Sequence, residues 1–212
     1  MTLDRAEAPP FAPRLRLMMC LAALAAAFTV SQSPPAHADR VTPPPVPHDI
    51  QVPTGNKAFR KGDAIGTQGY ICLLSASGFT WTFFGPQATL FNEHDEQIIT
   101  HFLSPNPVET GTPPLATWQD SEDTSKVWGR LARPDALVTP DPTAIPWLLL
   151  QVVGAQDGPT GGDELSGTTY IQRLNTVGGL APTTGCTAST DVGTRSLVAY
   201  TAEYFFYKAK HK

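Results

Sequence analysis

The sequence predicts an all-β fold: a single-domain antiparallel β-sandwich or barrel with one disulfide. Three observations lead there. Segments of alternating apolar and polar residues recur along most of the chain, as in "SLVAYTAEYFFYK". Seventeen glycines and 21 prolines in 212 residues keep those segments short and separate them with turns. No window reads as an amphipathic helix with caps at both ends.

The first element is a leader. Arg14 and Arg16 precede an apolar run, Leu17 to Val30, that is too short to span a bilayer, and Ala36-His37-Ala38 fits a small-x-small cleavage pattern. Residues 1–38 are therefore expected to be a signal peptide, and the protein to be secreted or extracytoplasmic, with no membrane span once the leader is removed. Residues 39–56, "DRVTPPPVPHDIQVPTGN", have neither strand nor helix period and read as a Pro-rich N-terminal segment, either a spacer or an arm lying on the fold. Residues 57–212 are left as a single β domain, large enough to bury a core.

Within that domain "GYICLL" puts Tyr70, Cys72 and Leu74 on one face. "FTWTFFGP" alternates until Gly85-Pro86 stops it. "ATLFN", "QIITHFL" and "KVWGRLA" are further short strands. The run Trp147 to Leu150 is apolar throughout, as expected of a strand buried on both faces. "GTTYIQRLNT" alternates again, and the last strand places Tyr200, Ala202, Tyr204 and Phe206 together. Ser104–Ser125 and Ala155–Gly167 read as long loops.

Without the leader, Cys72 and Cys186 remain, about 114 residues apart. In an oxidising compartment the default is a disulfide, against two free thiols or a nucleophilic cysteine. The same removal takes three arginines and two carboxylates and leaves a net charge near −5. With no basic stripe, nucleic acid is excluded as a partner.

Read together, "GYICL", "WTFFGPQATLFN", "THFLSP", "IPWLLL", "YIQRLNTVGG" and "VAYTAEYFFY" closely resemble the secreted family of domain of unknown function 3455, from about Gly69 to Tyr207. The resemblance implies export, one domain and pairing of Cys72 with Cys186. It brings no established activity and no catalytic residues. The chain departs from the family pattern in two places. "NPVETGTPPLA" is extra sequence before "TWQD", and Glu122-Asp123-Thr124 stands where the pattern has a tight Asp-Gly turn.

Candidate sites follow from residue chemistry. "FNEHDEQIITHF" holds two histidines and three carboxylates, but the strand period splits it into a hairpin tip around His94 and a strand carrying His101, which separates the two imidazoles by roughly 16 Å. No metal site and no cofactor is expected from it. The acidic runs Asp120–Asp123 and Asp157–Glu164 lack the ligand order of a calcium loop. There is no Gly-x-Ser-x-Gly and no phosphate-binding loop. Aromatic rings and an arginine remain as ligand contacts: His101, Trp118, Tyr170 and Arg173, which could stack on a sugar or anchor an anionic group. The sequence thus points to a non-enzymatic extracellular or envelope-associated binding module for a glycan or surface ligand. The alternative is a secreted hydrolase or metal-dependent enzyme using His101 with loop carboxylates.

Overall fold

Nine antiparallel strands make up the sheet of the described residues. They are β1 (Asn56–Ser75), β2 (Gly78–Phe91), β3 (Gln97–Ser104), β4 (Leu115–Asp120), β5 (Lys126–Leu131), β6 (Leu137–Val138), β7 (Trp147–Gln156), β8 (Thr168–Gly178) and β9 (Arg195–Ala209). The computed structural model describes residues 41–210, all within one unit, so the expected signal peptide lies outside the described residues. The sheet order is β5-β4-β3-β2-β1-β9-β8-β7-β6, and β5 also pairs with β7. That second pairing closes eight strands into a barrel and leaves β6 as a short addition on the edge of β7. Of the two expected architectures the barrel is the one adopted; closure removes the long free edges that a sandwich retains.

An eight-stranded barrel has room inside only for side chains. Here one wall is thin. Gly62, Ala64 and Gly66 of β1, Ala88 of β2 and Ala202 of β9 face inward and leave room for the bulk of Trp118, Tyr204 and Phe206. Small residues facing large ones fill the taper, so the interior is packed rather than hollow.

A second apolar cluster lies outside the barrel. Leu149, Leu174, Phe205 and Tyr207 point outward from β7, β8 and β9 and are covered by the Pro-rich arm, with Ile50 fully buried at its centre. Gln172 Nε2 donates to Ile50 O, and Arg133 donates to the carbonyls of His48 and Asp49. The arm therefore lies on the fold. It also explains why β7 is apolar on both sides: Leu148 and Leu150 face the barrel interior while Trp147 and Leu149 face the arm.

Two expectations need correction. The expected loop Ser104–Ser125 contains a strand, β4, whose backbone pairs with β3 and β5. The strand expected to begin near Gly69 begins at Asn56. Among the described residues no helix is long and apolar enough to cross a membrane. Cys72 and Cys186 form a disulfide that pins the β8–β9 loop against the β1–β2 hairpin.

Candidate functional site

The four residues singled out from the sequence do not converge on a ligand site. His101 and Trp118 are core residues, 3% and 1% exposed. Their rings stack at 4.3 Å with 10° between planes, and Tyr204 tilts against both. His101 Nδ1 lies 2.9 Å from Thr117 O, so Nδ1 carries the hydrogen and donates. The His101 pKa is pushed down to about 3: burial is the main cause, the hydrogen bond to the Thr117 carbonyl opposes it, and the nearby Arg173 charge adds to the lowering. Arg173 shares the inward parity of Ile171, but its Nε and Nη2 both donate to Pro146 O, at 3.1 and 2.8 Å. Tyr170 sits on the opposite face of β8, in the outer cluster beneath the arm. Trp128, whose Nε1 donates to Ser104 Oγ, is buried as well. The rings of His101 and Trp118 fill the core instead, because a small barrel needs large side chains at its centre.

The turn around His94 is as expected. Asn92 Oδ1 accepts the N–H groups of His94 and Glu96, and Asp95 takes a left-handed conformation at φ 60°. The two acidic runs, far apart in sequence, meet at one end of the barrel around Arg60. Arg60 Nη1 lies 2.8 Å from Asp120 Oδ2 and 3.2 Å from Glu164 Oε1. Asp123 Oδ2 accepts Glu164 N–H, and Asp120 Oδ1 accepts the N–H groups of Glu122 and Asp123. These carboxylates hold loop backbone and an arginine. Among the described residues no three His, Cys, Asp or Glu side chains converge as metal ligands.

A concave site lies elsewhere. A cleft of about 540 Å³ runs along the outer face of β1, β8 and β9. Val41, Thr42 and Pro44 of the arm and the Asn92-Glu93 turn line its sides. Its floor is polar and cross-linked. Lys61 Nζ lies 2.9 Å from both Asp63 Oδ1 and Glu203 Oε1, and Asn175 Nδ2 donates to Glu203 Oε2 at 2.6 Å. Register builds this arrangement: Asp63 of β1 pairs with Glu203 of β9, and Glu203 with Leu174 of β8, one residue before Asn175. Asn175 sits in a β-bulge at φ 49°, a left-handed conformation that asparagine tolerates better than most residues. Burial works to lower the Lys61 pKa, but the hydrogen bonds to Asp63 and Glu203 outweigh it and hold the ammonium above its ordinary value. Phe59 and Phe205 add apolar wall, with Lys208 Nζ 4.7 Å from the centre of the Phe59 ring.

Sequence reasoning missed this group because Lys61, Asp63, Asn175 and Glu203 come from three strands whose register a single chain does not announce. One signal was present: Glu203 is the lone charge in "VAYTAEYFFY", placed where an apolar outer residue would otherwise fit.

No curated protein and no solved structure matches the chain. A family model does, described as a protein of unknown function, DUF3455, and it covers residues 53–208, from the end of the arm into the last strand. The match takes in all but the last residue of the closed barrel and both disulfide cysteines, and the chain belongs to the DUF3455 family.

Proposed function

We propose that this domain works outside the cytoplasm as a non-enzymatic binding module, and that a neutral glycan occupies the cleft floored by Lys61, Asp63, Asn175 and Glu203. The observation that carries the reading is the internal pairing of that floor. Each cationic or amide donor of that floor already has a carboxylate partner, so the floor offers no unpaired cation to attract an anion. Planar carboxylates and an amide held in fixed orientation beside apolar rings are the groups that recognise vicinal hydroxyls and the face of a sugar ring. A carboxylate has about four lone-pair sites, and Lys61 and Asn175 use only part of them. The signal-like leader in the sequence and the disulfide both fit an oxidising, extracytoplasmic setting.

The test is retention of the purified chain on neutral oligosaccharide arrays and on cell-wall polysaccharide fractions. Glu203→Gln and Asn175→Ala should each lower retention about tenfold, the loss of one good hydrogen bond to a buried ligand. No retention of the wild type on any of these surfaces, or retention that both variants leave unchanged, overturns the proposal.

A further inference from the structure

From Gly69 to Asn92 the chain carries no Asp, Glu, Lys, Arg or His, although the protein as a whole has 34 charged residues. This stretch forms the long β1–β2 hairpin. Pairing of β2 with β3 is confined to Ala88–Phe91, so among the described residues no strand lies along the far edge of β2 from Phe79 to Gln87. In a barrel that is otherwise closed, that is a free edge. Natural edges are usually guarded by charge, by proline or by a bulge. Here the bulge falls at Phe84, where the register passes from Gly69↔Gly85 to Tyr70↔Phe83. Between the hairpin tip and the bulge, Phe79–Phe83 is unguarded, and Phe83 is 46% exposed.

The backbone of this segment faces outward at defined positions. Cys72 N–H donates to Thr194 O, and Cys72 O accepts Gly193 N–H, so both polar groups of Cys72 point away from β2. Its cross-strand neighbour Trp81 is therefore in a non-hydrogen-bonded pair, and the N–H and C=O of Trp81 point to the free edge. The same alternation directs the polar groups of Phe79 and Phe83 outward, while those of Thr80 and Thr82 face β1. The sequence of the segment, Phe79-Thr80-Trp81-Thr82-Phe83, reads the same in both directions.

We infer that the chain self-associates through this edge as a two-fold dimer, with β2 of one copy antiparallel to β2 of the second and the axis passing at Trp81. An isologous antiparallel pair sets residues equidistant from the axis against each other. The palindrome then matches every partner: Trp81 faces Trp81, Phe79 faces Phe83 and Thr80 faces Thr82. The axis falls on a residue whose N–H and C=O are free, so about six backbone hydrogen bonds form across three pairs. Aromatic rings line one side of the junction and threonines the other, both favourable cross-strand pairings. Charge also permits it. The protein is acidic, yet the joined segments bring no like charges together.

The test measures the mass of the purified chain by sedimentation across a dilution series, with two variants at the exposed positions Thr80 and Thr82. T80K/T82K sets lysine against lysine at both threonine pairs and should yield monomer at every concentration. T80K/T82E sets lysine against glutamate in the same register and should restore the dimer. Both side chains lie on the outer face, so the barrel is unaffected, and matched circular dichroism of the variants verifies this. A wild type that stays monomeric up to its solubility limit overturns the inference, and so does a dimer that survives T80K/T82K. A dimer abolished equally by both variants excludes the Trp81-centred register. The result is independent of glycan retention in the Lys61–Glu203 cleft, which lies on other strands.

Discussion

His101 lies flat against Trp118 at the centre of the barrel, ring centroids 4.3 Å apart, with its one hydrogen committed to the Thr117 carbonyl. The ring is buried, so a second proton on it would be a buried charge.

This sets a pH dependence. In the unfolded chain His101 takes a proton near pH 6.5; in the folded protein it resists protonation down to about pH 3. The unfolded state therefore binds the extra proton between these values. Stability is full above pH 6.5, falls as pH drops through the window, and levels off below about pH 3. The full effect is on the order of 5 kcal/mol, with a slope of about 1.4 kcal/mol per pH unit. Urea unfolding from pH 7 to 4 should show this slope in the wild type, and His101→Phe should flatten it by about one proton. Equal slopes in the two proteins would mean that His101 is not the group responsible.

The Arg60–Asp120 pair at the end of the barrel is nearly removed from solvent on the Asp120 side. Arg60→Met leaves that carboxylate buried without its counter-charge and should destabilise by about 3–5 kcal/mol. The double variant Arg60→Met/Asp120→Asn should recover a large part of the loss, because no charge is then stranded. Denaturant midpoints of the three proteins decide the matter; additive losses would show that the two side chains do not depend on each other.

The disulfide closes a loop of 114 residues. Reduction, or Cys72→Ser with Cys186→Ser, should lower stability by up to about 5 kcal/mol on the chain-entropy account. It should also free the loop whose Thr184 carbonyl accepts the Trp81 indole N–H, so Trp81 emission should shift to longer wavelength. Identical spectra and identical melting before and after reduction would contradict both expectations.

Gly66 has no room for a side chain. A Cβ there would sit 2.2 Å from Gln87 O and 2.5 Å from Ala88 Cα, contacts made by backbone that cannot move aside without parting β1 from β2. Gly66→Ala should cost about 3 kcal/mol, at the upper end of overpacking effects. Gly55→Ala meets no atom nearby, but φ is +90° there, so its cost should be smaller and purely conformational. Thermal melts rank the two.

The strand pattern was legible wherever one face was apolar and the other polar. The inward set Tyr200, Ala202, Tyr204 and Phe206 could be read directly from β9. The first half of β1 could not, because its inward residues are Gly62, Ala64 and Gly66 and its outward residues include Lys61 and Asp63, a pattern without apolar alternation. Closure was also hidden, since it depends on β5 meeting β7, a pairing between segments whose hydrophobicity would serve a sandwich equally well. His101, Trp118, Tyr170 and Arg173 stood out because they are chemically rich, and that richness is used for packing and for holding backbone. The cleft residues are ordinary taken singly and become a group only through register.

The pairing of β1 with β9 joins the two ends of the folded domain along almost their full length. Synthesis delivers β1 first and β9 last, so a nascent chain holds an unclosed sheet until its final residues emerge. Contacts of such long sequence separation make folding slow, on the scale of milliseconds to seconds. Any passage of the chain through a narrow channel is therefore simplest before β9 is complete, and a premature stop before Arg195 would leave both β1 and β8 with open edges, a product suited to aggregation rather than to a smaller working domain.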